Sequence, residues 1–96
     1  MNAKVSNNEN TALMWAVFKN NIEIINALIK AGADVNAQNN YGETALIFAG
    51  KNTHTEAAAA LAEAGADIKH KDNNGKTALY YALENEKVKR FEELSK

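Results

Sequence analysis

The chain has 96 residues, enough for one small domain and too few for two. The absence of cysteine excludes disulfides, a thiol nucleophile and thiolate metal sites, and 11 basic against 12 acidic residues exclude a strongly basic nucleic-acid binder and a polyacidic tail. With 18 Ala, 14 Asn and only 20 Leu, Ile, Val and Phe in all, any core has to be built by close packing of small side chains.

In chain order, residues 1–8 are polar and read as a flexible lead with no targeting segment. A helix is predicted over 12–19, capped by the Thr11 hydroxyl. After a polar break at 20–21, where Asn21 is a plausible cap, a second helix runs over 22–31, with Ile24, Ile25, Leu28 and Ile29 as its buried stripe. Gly32 ends it, because glycine takes positive φ freely. The connection 33–43 closes on Gly42 and suits a projecting hairpin-like turn better than a packed strand.

The same order then returns. Thr44 starts a helix over 45–51, residues 52–55 break it, and a helix over 55–64 ends at Gly65. Its start is capped from the segment 53–55, and His54 there has a structural role. At the positions of the earlier isoleucines this helix has Ala57, Ala58, Leu61 and Ala62, so it is expected to close up on its neighbours and to be the softest part. The longest apolar run, 57–62, is far too short to span a bilayer. A second connection, 66–76, closes on Gly75. Lys69, His70 and Lys71 lie within it and read as a solvated loop, being flanked by Asp67 and Asp72. Thr77 starts a helix over 78–85, a break follows at 85–87, and a last helix runs over 87–95. Its stripe of Arg90, Phe91, Leu94 and Ser95 is half polar and reads as a terminal cap in preference to a chain cut short.

The repetition is exact in period. Thr-Ala-Leu stands at 11–13, 44–46 and 77–79; Ala16, Ala49 and Ala82 follow each Thr by five; Ala-Gly-Ala-Asp stands at 31–34 and 64–67. Residues 39–42 (Asn-Asn-Tyr-Gly) align with 72–75 (Asp-Asn-Asn-Gly) at the same offset of 33. On these residues the chain resembles ankyrin repeats. The resemblance covers 9–96 and implies an all-α solenoid: stacked helix-turn-helix units with projecting hairpin loops. The whole chain, 1–96, is then a single domain with units near 9–34, 35–67 and 68–96, the first without its hairpin. Two positions depart from the family pattern. Its Pro is Ala12, Ala45 and Ala78, a mild loss at a helix start. Its His is Met14, Ile47 and Tyr80, so packing has to replace hydrogen bonds between turns.

The resemblance implies a non-catalytic module that binds a protein partner through hairpin tips and the exposed face of the first helices. Carried over by position, the tips are Asn40, Tyr41 and Glu43, then Asn73, Asn74 and Lys76. The helix faces are Phe18 and Lys19, Lys51 and Asn52, and Glu84 and Asn85. Phe18 and Tyr41 are candidate anchors, with local apolar cover as the alternative role. Trp15, Phe48 and Tyr81 each stand four residues after a Thr and should form an aromatic ladder; Phe48 reads as packing, and Trp15 joins the candidate binding residues. In the family an Asn after Gly-Ala-Asp can be hydroxylated; Asn36 is the matching position. No catalytic residues, metal site or cofactor are expected, since two histidines without a partner ligand and carboxylates on solvated helices make no acid/base pair. Nucleic-acid and membrane partners are not expected. The expected state is a cytoplasmic monomer. The alternative is a minimal, designed or fragmentary scaffold with no specific partner, self-associating weakly through its terminal faces.

Overall fold

Each threonine start forms as its sequence requires. Thr11 Oγ1 accepts the Met14 N–H at 3.2 Å, Thr44 Oγ1 that of Ile47 at 3.3 Å, and Thr77 Oγ1 that of Tyr80 at 3.1 Å. At the first start Met14 completes the box, its sulfur accepting the Thr11 N–H at 3.4 Å. The computed structural model describes residues 10–94, so the expected lead at 1–8 and Ser95 lie outside the described residues. Among these are five helices and no strand: α1 (Ala12–Phe18), α2 (Ile22–Lys30), α3 (Ala45–Asn52), α4 (Thr55–Glu63) and α5 (Ala78–Leu94).

The breaks inside the first two units depend on a left-handed residue. Asn20 (φ 56°) and Thr53 (φ 52°) each leave the helical region and let the chain reverse. Asn21 then caps α2 by accepting the Ile24 N–H at 3.2 Å. For α4 the expected side-chain cap from 53–55 does not form: His54 holds the cap position without a side-chain bond, while Thr53 ends α3. Gly32 (φ 94°) and Gly65 (φ 95°) terminate the second helices as expected.

The third unit departs from the expectation. No break forms at 85–87, and the two expected helices 78–85 and 87–95 are one helix of 17 residues, described through Leu94. The residues explain it. The register position of Asn20 and Thr53 falls on Glu86, and that of Asn21 and His54 falls on Lys87. Both are good helix formers, and neither is at home in the left-handed region. Asn85 also pins the helix in line, its Nδ2 donating to the Lys51 carbonyl at 2.6 Å and the Gly50 carbonyl at 3.3 Å.

The first helices stack side by side, α3 between α1 and α5, with α2 and α4 forming a second layer. Leu13, Met14, Val17, Ile25, Ile47 and Leu61 are completely buried between the layers. Ala16 and Ala49 are buried where first helices approach, as a small residue permits. Gly50 marks the tightest contact: a Cβ there would lie 2.4 Å from the Ala78 carbonyl oxygen. The stripe expected on α2 is corrected. Ile25 is buried, Leu28 and Ile29 are half-buried, and Ile24 is 49% exposed. Among the described residues α2 meets a second helix, α4, on one side only, so Ile24 faces outward, whereas Ala57 at the same register in α4 is covered. Met14 and Ile47 pack as the replacements for His should, whereas Tyr80 is 40% exposed.

Candidate interaction surface

The two hairpin connections are organised by one side chain each. Asn39 Oδ1 accepts the N–H groups of Tyr41 (2.9 Å) and Glu43 (3.0 Å), and Asp72 Oδ1 accepts those of Asn74 (2.9 Å) and Lys76 (3.0 Å). A backbone bond closes each turn, Asn39 N–H to the Glu43 carbonyl at 3.0 Å and Asp72 N–H to the Lys76 carbonyl at 2.9 Å. Asn and Asp are interchangeable in this role because both place an Oδ1 acceptor three bonds from Cα. Sequence reasoning aligned these two positions without assigning them a task. Their signal was an Asx residue three before a glycine of positive φ, Gly42 or Gly75.

Neighbouring hairpins are tied edge to edge. The Asn73 N–H donates to the Tyr41 carbonyl at 3.0 Å, and its Nδ2 to the Asn40 carbonyl at 3.1 Å. His70 Nε2 lies 2.8 Å from the Gly42 carbonyl, so His70 is a half-buried stitch and not part of a solvated run; Lys69 and Lys71 are exposed. Asn36 Oδ1 accepts the Asp67 N–H at 2.7 Å, so the carboxamide singled out for modification holds the next hairpin.

Between the tips and α3 lies a polar cleft of about 350 Å³ lined by Tyr41, Glu43, Lys51, Asp72, Asn73 and Asn74. It brings together five of the expected binding residues. Tyr41 is 54% exposed at its rim. Glu43 is corrected: it is buried and not presented at a tip, because Asn39 Nδ2 donates to one carboxylate oxygen (2.9 Å) and the Lys51 ammonium to the other. Lys51 also stands 5.0 Å from the centre of the Tyr81 ring.

Tyr81 and Asp72 form the contact that sequence reasoning missed. The Tyr81 hydroxyl donates to Asp72 Oδ2. Burial alone would raise the Asp72 carboxyl. The Tyr81 hydroxyl, the N–H groups of Lys76 and Asn74 and the nearby Lys51 charge outweigh it and hold the group below the usual carboxylate range. Tyr81 is pushed up to about 12 by burial, by its bond to Asp72 and by that residue's charge. The signs differ. The Asp72 contribution is present above the unfolded carboxylate pKa and is lost as pH falls through the depressed folded value. The Tyr81 contribution is present below about pH 10 and is lost as pH rises from there toward the raised value. In an alkaline absorbance titration Tyr81 should therefore ionise late, and Asp72→Asn should lower its transition. A titration curve without any transition above the ordinary tyrosine value of about 10 would contradict this.

At the other end of the surface, Trp15 and Phe18 stack edge to face with centroids 5.9 Å apart, and Lys19 Nζ lies 5.6 Å from the Phe18 ring. Both rings are accessible, Trp15 at 37% and Phe18 at 49%, and with Asn10 and Phe48 they line a small cleft. The expected ladder is thus partial: Trp15 and Phe48 share a cleft, while Tyr81 turns to Asp72 and stacks edge to face on Tyr80 at 5.7 Å.

The remaining expected residues are engaged locally. Asn52 Nδ2 donates to the Phe48 carbonyl (2.8 Å), Asn85 caps the end of α3, Lys87 pairs with Glu84 (3.3 Å), and Lys76 Nζ lies 4.7 Å from the Tyr80 ring centre. Among the described residues, no three His, Asp or Glu side chains are grouped to hold a metal ion, and no helix is long and apolar enough to cross a membrane.

A comparison with curated proteins found no match. The family model for ankyrin repeats (3 copies) matches residues 1–39 and 13–95. The match covers most of the chain, whose described residues stack as helix pairs joined by hairpin connections, and the chain belongs to the ankyrin repeat family.

Proposed function

We propose that the protein is a non-catalytic binding module that takes up a protein partner across the hairpin tips and the exposed face of its first helices. The reading treats the chain as one domain and needs no cofactor. The observation that carries it is the cleft in which Tyr41 of a hairpin and Lys51 of α3 face one volume of about 350 Å³. An exposed aromatic beside a cation and turn amides is suited to peptide recognition, because a ring buries apolar area at little entropic loss while the polar rim fixes orientation. Trp15, Phe18 and Lys19 extend the surface along α1.

The test is affinity capture with mass spectrometry. It compares the unaltered protein with a Phe18→Ser/Tyr41→Ser variant and with Lys30→Ser, which alters an exposed residue of α2 away from this surface. A specific partner should be retained by Lys30→Ser and weakened roughly thirtyfold or more by the double substitution. Recovery of the same proteins by all three chains would overturn the reading.

A further inference from the structure

The far end of the stack carries an apolar groove of about 420 Å³ between α3, α4 and α5, whose lining includes Leu46, Ala58, Ala62, Ile68 and Leu79. Register shows what this groove lacks. In the first unit Leu13 and Val17 are 1% and 0% exposed beneath α2, and Val35 of the following hairpin is half-buried. Their counterparts one end of the stack later, Leu79, Leu83 and Ile68, are 65%, 52% and 61% exposed. The residues that should lie on them belong to segment 87–94. Val88, Phe91 and Leu94 stand at the positions of Ile22, Ile25 and Leu28, yet in α5 they are 56%, 71% and 86% exposed. Among the described residues the chain therefore holds an apolar groove that no helix covers and a helical segment whose apolar side chains are exposed to solvent.

The two do not meet within the chain. Reversal at Glu86 would demand the left-handed backbone that Asn20 and Thr53 adopt, in a residue ill suited to it, and would break α5 where Asn85 anchors it. We propose that residues 87–94 of a second copy fill the groove, and that the exchange is reciprocal, giving a closed two-fold dimer joined through the C-terminal halves of α5. Exchange of identical elements uses contacts the sequence already encodes, and the straightened break carries each segment away from its own groove. Phe91 then covers Leu79 and Leu83, and Leu94 lies on the alanine face of α4. Arg90, at the register of Ile24 and Ala57, lays its aliphatic stem along that face with its guanidinium in water. The inference does not rest on the proposed binding of a partner at the hairpin tips.

The test is sedimentation of the full chain over a wide concentration range. The expected mass saturates at that of two chains. Phe91→Glu, at a residue exposed in the single chain, should raise the dimer dissociation constant roughly thirtyfold or more while helical circular dichroism is retained. Leu79→Glu should do the same from the groove side. Glu86→Asn, which supplies the residue type that reverses the first unit at Asn20, should shift the population to monomer by letting the segment close on its own groove. Three results would overturn the proposal. One is a monomer at every concentration. Another is a mass that grows without limit, as head-to-tail stacking through the opposite end would produce. The third is a dimer indifferent to both Phe91→Glu and Leu79→Glu.

Discussion

Leu61→Ala is expected to lower the stability of the fold by about 3–5 kcal/mol, the range for a large buried side chain whose cavity cannot collapse. Leu61 is completely buried and is the one large side chain in α4, whose sequence is otherwise Thr, Glu and Ala. Its neighbours on that helix are already alanines, so nothing there can lean in to fill the void. A domain of this size has roughly 5–14 kcal/mol of stability in all, so the variant should be partly unfolded near body temperature. Ile24→Ala removes a similar side chain from α2 but at a position 49% exposed, and should lower stability by less than about 1 kcal/mol. Urea denaturation of the two variants decides the matter. Comparable losses would mean that α4 is not held by Leu61.

The second large effect concerns Gly50, and its sign is informative. Helix propensity alone favours alanine over glycine by about 1 kcal/mol within a helix. At Gly50 a methyl group would stand 2.4 Å from the Ala78 carbonyl oxygen and 3.0 Å from its carbon, which are backbone atoms that no rotamer change can remove. Helices α3 and α5 would have to separate, straining the Asn85 bonds to the Gly50 and Lys51 carbonyls. Overpacking of this kind costs about 1–3 kcal/mol, which outweighs the propensity gain of about 1 kcal/mol, so Gly50→Ala should be destabilising by up to about 2 kcal/mol, with loss of helical signal from α5. A Gly50→Ala variant more stable than the parent would show that α3 and α5 are not in close contact.

Much of this architecture was legible because the repeat states it three times. Thr11, Thr44 and Thr77 cap helices by chemistry that needs no tertiary information, and Gly32 and Gly65 end them for an equally local reason. The error in α5 came from carrying the period past the residues that enforce it. The reversal belongs to Asn20 and Thr53, and once Glu86 takes that place only the period, not the chemistry, still asks for a break. Ile24 departs from its expected place because periodicity assigns a face to the core without knowing which flank of α2 meets α4. Glu43 was placed at a tip by its position after Gly42, whereas Asn39 and Lys51 draw its carboxylate inward. The bond from Tyr81 to Asp72 joins a helix to a hairpin, and no local pattern announces such a contact. Of the candidate surface, the exposed rings of Trp15, Phe18 and Tyr41 could be named beforehand. Which polar residues are committed to internal bonds could not.

The C-terminal architecture depends on where the third unit stops being a repeat, and backbone chemical shifts at Asn85, Glu86 and Lys87 test that most directly. The same spectrum supplies its own standards, with left-handed shifts expected at Asn20 and Thr53 and helical ones across α2. Uninterrupted helical shifts from Ala78 through Leu94 are the predicted result. A left-handed shift at Glu86, with helical values resuming beyond it, would mean that the chain reverses there and that the end groove is closed by its own C-terminal segment.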